Sequence, residues 1–318
     1  MAILYTPVTV QTHLNSVGLC VTPNLSVLIC YHNEGPLLTR CLESFRGQPI
    51  EEILLYDDAS TLRCDPFIPE NMPIRVIRGH ENVGPAQGRN RLLAEARGAF
   101  VHFHDADDWV MPEWGDQILA ALPGVDVVLS EVSSYRNETL VCRSVMGLSE
   151  IDLTDPVPFA LSHFILVPSV TLNRSLAQKI GGYPSAVWQS EDYYFHLKMV
   201  LERPRIRVIQ EPLAGIDLRV TSRSQKTAEV WSCTVEVLKQ IALELDPKYH
   251  QLVSEKAHEA ASILFRCGSY QKARETFSFA RLFGHPNLKK RNPLYRVVSR
   301  VSPMLAESFG LWKRKLRR

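Results

Sequence analysis

Short apolar runs that end in acids recur through the first hundred residues. Leu25-Ser26-Val27-Leu28-Ile29-Cys30 stops at Tyr31-His32-Asn33-Glu34, and Glu52-Ile53-Leu54-Leu55-Tyr56 stops at Asp57-Asp58-Ala59-Ser60. Ala99-Phe100-Val101-His102-Phe103 stops at His104-Asp105-Ala106-Asp107-Asp108-Trp109. Each run has the length and bounds of a buried strand. Between the first two, Leu37, Leu38, Cys41, Leu42 and Phe45 recur at helical spacing, so the unit reads β-α-β. Ile74-Arg75-Val76-Ile77 supplies a third strand. The turn His80-Glu81-Asn82-Val83-Gly84-Pro85 leads into a helix over about 86–97, which Gly98 breaks. Alternating β and α with parallel crossovers predicts a doubly wound sheet.

Farther along, Tyr194, Leu197, Met199 and Val200 mark a helix over 193–201. From about 227 to 283 the period is helical throughout. Val230, Val237, Leu238, Ile241, Ala242 and Leu245 form one stripe, and an antiparallel helix pair turns at Cys267-Gly268-Ser269. One hairpin is not a solenoid, so this region is expected to pack on the α/β body as a helical appendage. The expected divisions are an extension over 1–23, an α/β domain over 24–224, a helical region over 225–288 and a tail over 289–318.

Length and composition permit this plan. The chain has 318 residues, 45% of them hydrophobic, enough for one large α/β domain plus an appendage. No apolar run approaches the ~20 residues that span a bilayer. The start has no basic stretch followed by an unbroken apolar one, so a secretory signal is not expected. Seven dispersed cysteines without a C-x-x-C pair predict neither a zinc site nor a disulfide framework, which suits a cytoplasmic setting. Charge is uneven. Residues 289–318 hold ten Lys or Arg against Glu307, a balance of +9, while the rest of the chain stands at −7. Basic charge confined to a tail does not suit a nucleic-acid binder, which carries its footprint on the domain. The tail interleaves Leu294, Val297, Val298, Val301, Met304, Leu305, Phe309, Leu311 and Trp312 with cations, a pattern that lies on anionic membrane surfaces. The alternative is a solvated end. Pro303 divides any helix there into two short pieces.

The acids carry the candidate chemistry. In open α/β sheets ligands bind outside the carboxyl ends of the strands. Crowded carboxylates there need a cation or a donor-rich ligand, and hard oxygens favour Mg²⁺ or Mn²⁺ bridged to substrate phosphates. A polar turn with Asp107 or Asp108 capping the following helix is the simpler reading of the same residues.

Taken together, the blocks at 25–34, 52–60, 82–90 and 102–108 resemble glycosyltransferase family 2 in order and spacing. So do Gly181-Gly182-Tyr183 and Ser190-Glu191-Asp192-Tyr193-Tyr194, similar to the family's glycine-glycine-aromatic turn and "ED" motif. The resemblance covers about 24–224. It implies a GT-A fold: a Rossmann-like, mostly parallel central sheet flanked by helices, here with the helical appendage. It also implies an inverting, metal-dependent transfer of one sugar from a nucleotide-diphospho-sugar, a UDP-sugar favoured, to a glycan or lipid-linked acceptor. By resemblance, Asp105 and Asp107 are the D-x-D pair that holds Mn²⁺ or Mg²⁺. Asp107 is the direct ligand, and Asp105 a ligand or a contact to the ribose. Asp108 is expected as a structural cap, with a share in the metal shell as its alternative. Asp57 matches the position that accepts from the nucleobase, and Glu34 and Arg89 border the nucleotide-sugar. Tyr31 either stacks on the base or finishes the core, and Arg89 has a surface ion pair as its alternative. Asp192 is the expected general base, kept anionic by a helix N-terminus. Glu191 and Trp188 are the expected acceptor or orienting groups.

Two features depart from the family's pattern. Thr221 stands where many members carry a histidine after an arginine, here Arg219, so phosphate and water, or Arg219 and Arg223, must serve instead. No Q-x-x-R-W motif is present, which predicts a non-processive enzyme. The other classes compatible with strand-end acids are a catalytically silent sugar- or nucleotide-binding relative and a nucleotidyltransferase. The latter would need a glycine-rich basic loop that 31–36 lacks. A tail docked on the inner face of a membrane would make the enzyme peripheral.

Overall fold

β1 (Leu25–Tyr31), β2 (Glu52–Asp57) and β4 (Phe100–Asp105) are apolar on both faces because both faces are covered. The computed structural model describes residues 24–185, 187, 189–219, 227–287 and 293–308. Val27, Ile29, Ile53 and Leu55 point into one core. Leu28, Leu54, Val101 and Phe103 point into the other. β3 (Ile74–Arg78) extends this half outward, and all its pairings, β3–β2, β2–β1 and β1–β4, are parallel.

Helix α1 (Pro36–Ser44) links β1 to β2, with Pro36 in the first turn where its missing N–H costs nothing. α2 (Gly84–Glu95) leads from β3 to β4. These spans lie within two or three residues of the helices expected from spacing. The chain between 106 and 190 was not divided into elements by its pattern. It holds β5 (Trp109–Val110), α3 (Trp114–Ala121), β6 (Val127–Arg136), β7 (Thr139–Cys142), α4 (Val157–Ser162), β8 (Val170–Asn173) and α5 (Arg174–Lys179). α6 (Glu191–Leu201) and β9 (Ile206–Asp217) complete the body. The sheet runs β3-β2-β1-β4-β8-β6-β9-β5, with β7 on β6. Beyond β4 it is mixed: β8 is antiparallel to both neighbours, β6–β9 is parallel, and β5 closes antiparallel on β9.

α7 (Thr227–Ile241), α8 (His250–Arg266) and α9 (Tyr270–Leu282) follow. Val237, Leu238, Ile241, Ala242 and Leu245 share a core with the sheet, so the expected stripe packs on the α/β body. Lys256 of α8 fastens the join. It is buried, donates to the Ser162 carbonyl at 3.0 Å, and lies over the rings of Phe164 and Trp231 at 4.6 and 5.0 Å. Burial pulls its ammonium below the usual lysine range. α10 (Pro293–Val301) and a second helical piece over 303–308 break at Ser302, as Pro303 requires.

Candidate active site

Parallel register brings the acids together. Tyr31 lies opposite Asp57 across β1–β2, and Cys30 lies opposite Asp105 across β1–β4. Asp57 and Asp105 therefore end the two strands that flank β1, on one sheet edge, the edge where open α/β sheets receive ligands.

Arg89, on α2, joins this edge to α6. It donates to Asp105 Oδ1 at 2.7 Å and to Glu191 Oε1 at 3.0 Å, and its guanidinium sits 4.9 Å from the centre of the Tyr183 ring. Its side chain is 5% exposed, so this is a buried double ion pair and not the surface pair. Burial opposes its charge, but Asp105, Tyr183 and Glu191 more than restore it. The next residue, Asn90, fixes the glycine turn: its Oδ1 accepts from the Tyr183 N–H at 2.7 Å and its Nδ2 donates to the Tyr183 carbonyl at 2.8 Å. Gly182 is required there. It has φ +69°, and a Cβ would meet Asn90 Oδ1 at 2.3 Å.

Asp192 opens α6 beside Glu191 and is half-buried. Its carboxyl is pushed up to about 7, first by desolvation and then by the Glu191 charge, with Arg89 acting in the opposite direction. The expected stabilisation of the anion by the helix end is thus outweighed, because neighbouring protein removes water and Glu191 adds like charge. Ser190 ties this turn to α7, its Oγ lying 3.3 Å from the Val230 carbonyl and 3.1 Å from Thr234 Oγ1.

Asp107 points to the same strand end with its side chain 25% exposed, and its carboxylate is engaged by Arg219. Its backbone carbonyl accepts from Arg40 Nη2 at 2.6 Å. Arg40 also stacks 4.3 Å from the Trp109 ring and faces Asp217 at 3.9 Å. Asp108 does not cap the following helix, because β5 intervenes and α3 starts only at Trp114. It is buried instead, and accepts from the backbone of Asp217. Desolvation and then the Asp105 charge raise its carboxyl well above the usual range.

Asp57 is 4% exposed. Its Oδ1 accepts from the Ser60 amide at 3.0 Å, and its Oδ2 from Arg78 at 3.2 Å and the Cys64 amide at 3.4 Å. Desolvation raises its pKa, but hydrogen bonds from Ser60 and Cys64 outweigh this and hold it below the usual value. Asp57 therefore organises the turn after β2. Asp58 takes the start of α2, accepting from Val83 and Gly84 amides at 2.8 and 2.9 Å.

Tyr31 is a correction. Its ring is fully buried, and its hydroxyl donates to the Leu62 carbonyl at 2.6 Å and accepts from the Gly35 amide at 3.2 Å. It finishes the core and has no free face for a base. Glu34 lies in the loop beyond, accepts from the His32 amide at 2.5 Å, and is raised by desolvation. His102 and His104 do share one side of their strand, and that side is core. Phe45 and Trp114 pack on them, and burial drives His104 down to about 4. Trp188, Thr221, Arg223, residues 1–23 and the end of the tail lie outside the described residues.

The sequence pattern does not reveal Arg40 and Arg78 as partners of Asp217 and Asp57, or Tyr183 as the ring against Arg89. Only a knowledge of the β9 and β3 pairings would have brought the arginines into view. Among the described residues no group of three or more His, Cys, Asp or Glu converges on a point. Two partly exposed carboxylates still fit Mg²⁺ or Mn²⁺, which keep waters and take their remaining ligands from phosphates. The strand end thus presents two partly exposed carboxylates, and Arg89 links it to the Glu191-Asp192 turn.

Residues 26–181 match the family model for glycosyl transferase family 2. A putative glycosyltransferase, EpsH of Bacillus subtilis, is 35% identical over 126 residues, 37% of this chain and 36% of that protein. An uncharacterized glycosyltransferase of Haemophilus influenzae is 26% identical over 192 residues, 56% and 62% of the two chains. The chain thus spans between about a third and two thirds of these relatives' length. Among solved structures, the mannosyltransferase of Pyrobaculum calidifontis in complex with GDP-Man and Mn²⁺ superposes with a TM-score of 0.59. The identity is 16%, and the match covers 97% of this chain and 91% of that one. S. aureus TarS 1-349 in complex with UDP-GlcNAc gives 0.57 at 18% identity, covering 81% and 89%. These likenesses establish the fold.

Proposed function

The chain belongs to glycosyl transferase family 2, and we propose that it moves one sugar from a nucleotide-diphospho-sugar to a hydroxyl of a glycan or lipid-linked acceptor, with inversion. The observation that carries this reading is the Arg89 bridge, which ties the D-x-D strand end at Asp105 to the Glu191-Asp192 turn. Donor phosphates and acceptor hydroxyl then meet between two rigid elements.

Asp107 and Asp105 would hold the cation, which supplies neutralisation of the charge that grows on the departing diphosphate. Arg219, already on Asp107, is a second source of positive charge at that place. Asp192 accepts the proton of the acceptor hydroxyl. With a pKa of about 7 it is deprotonated in a large share of molecules at neutral pH, while still basic enough to take a proton. Glu191 is held by Arg89 and sets the Asp192 environment. A UDP-sugar is the favoured donor, supported by the family position of Asp57, whose carboxylate orders the turn that would face the base. One transfer per encounter is supported by the lack of a Q-x-x-R-W motif. Among the described residues no helix is long and apolar enough to cross a membrane. The basic segment 289–318 docks on an anionic membrane surface, which brings the site near a lipid-linked acceptor.

The test is product stereochemistry. Incubation with an α-linked UDP-sugar, an acceptor panel and Mn²⁺ should yield a β-linked product by NMR. An α-linked product would overturn inversion and, with it, the single-base role of Asp192.

A further inference from the structure

α10 packs the wrong way round for a soluble helix. Ser299 is buried, and Tyr295 donates to the buried Glu307 at 2.7 Å. Leu294, Val297, Val301 and Leu305 stand outward at 48%, 64%, 81% and 62% exposure. A helix normally turns its apolar stripe to the core. Here Ser299 is the residue turned to protein, and Leu294, Val297 and Val301 stand outward together with Arg296 and Arg300. Beside the stripe, between α8, α9 and α10, is a cavity of about 340 Å³, away from the acidic site. Arg281, Arg296, Arg300 and His285 line it, and no carboxylate does among the described residues. Arg281 spends donors on the Arg300 and Val301 carbonyls at 3.4 and 3.2 Å. Arg296 and Arg300, one helical turn apart, have no ion-pair partner among the described residues and sit exposed. The nearby acids are otherwise occupied: Glu307 by Tyr295, and Glu255 by the Asn287 amide at 3.1 Å.

We propose that this cavity takes the phosphate of an anionic phospholipid, with Arg296 and Arg300 as its donors and the outward stripe lying at the acyl boundary. The inference deepens the membrane reading above and rests on it. Charge complementarity selects the occupant. A stripe that only met a second copy would gain nothing from three cations at its edge, whereas an anionic bilayer offers apolar depth and phosphate together. Arginine suits phosphate because its planar fork can donate two parallel hydrogen bonds.

The test uses the full chain and vesicles of phosphatidylcholine, with or without a quarter of phosphatidylglycerol. Wild type should sediment with the mixed vesicles and only weakly with phosphatidylcholine alone. Arg296→Gln/Arg300→Gln should lower partition by roughly thirtyfold, about fivefold per cation. The control Lys313→Gln/Arg314→Gln, which removes the same charge from the tail, should lose clearly less. Val297→Ser/Val301→Ser keeps every charge and should lose about tenfold by withdrawing apolar surface. Arg296, Val297, Arg300 and Val301 are exposed, and circular dichroism checks that every variant folds. Equal losses in the two charge-removing pairs would overturn the phosphate site while leaving the membrane reading in place. No binding of wild type to mixed vesicles would overturn both. A drop in oligomeric mass of Val297→Ser/Val301→Ser by light scattering would make the stripe a contact between copies, which overturns the proposal.

Discussion

Arg89 and Asp105 meet at 2.7 Å, and the same guanidinium reaches Glu191 at 3.0 Å. One buried cation thus holds together the two acidic motifs of the chain, which lie more than eighty residues apart in sequence. Glu191 and Asp105 both pair with the one guanidinium of Arg89. Asp192, next in line, is raised first by desolvation and then by the Glu191 charge, with Arg89 acting in the opposite direction. The bridge therefore sets the geometry of the site and moderates the proton affinity of Asp192.

Arg89→Met should destabilise the fold by about 3 kcal/mol, the usual cost of leaving a buried charge without its partner. The low end is expected because Asp105 keeps solvent contact, at 36% side-chain exposure. Urea denaturation measures it. The variant also loses the charge that lowers Asp192, so the acid limb of its pH–rate profile should move to higher pH.

Asp192→Asn should lower turnover by roughly two to four orders of magnitude while sparing donor binding. In wild type, activity should fall as pH drops through about 7, where Asp192 becomes protonated. The same shift has a stability consequence. Because its pKa is raised from 3.8 when folded, the native state binds the extra proton between about 4 and 7. Stability from this group is fully present below that window and is lost as pH rises through it. Asp192→Asn should therefore gain stability relative to wild type at pH 8 and show little difference at pH 4. Equal midpoints at both pH values would contradict the raised pKa.

Gly182→Ala should lower the melting temperature. The alanine Cβ would meet Asn90 Oδ1 and occupy a left-handed backbone conformation. Asn90→Ala tests the same turn from the other side by removing its two bonds to Tyr183. If both variants melt as wild type does, the turn is not held through Asn90.

Much of the parallel half was legible, because β1, β2 and β4 are buried on both faces and show as unbroken apolar runs. The strand ends at Asp57 and Asp105 followed directly. β6, β8 and β9 were not legible. β6 contains Ser130, Glu131, Ser133 and Ser134, all buried, which no apolar pattern reveals. Glu131 is tolerated there because its oxygens accept from the Met146 and Leu148 amides at 3.3 and 2.5 Å. Tyr31 was ambiguous because a strand-end tyrosine looks the same whether its hydroxyl turns into a loop or its ring faces a ligand. Arg89 could be placed on a helix, but its partners come from β4 and α6, and only the assembled fold brings them together. Asp108 was misread as a cap because the two-residue β5 is too short to register.

The central claim is that the Asp105-Ala106-Asp107 strand end holds a nucleotide-diphospho-sugar through a divalent cation. Thermal unfolding of the full chain with UDP-GlcNAc, UDP-glucose or GDP-mannose, with and without Mn²⁺, tests it, because a donor that binds only native protein raises the midpoint by mass action. At least one donor, a UDP-sugar foremost, should raise the midpoint with Mn²⁺ and little without it, and Asp107→Ala should abolish the rise while remaining folded. A donor-induced rise of the same size in Asp107→Ala, or one indifferent to Mn²⁺, would contradict the account.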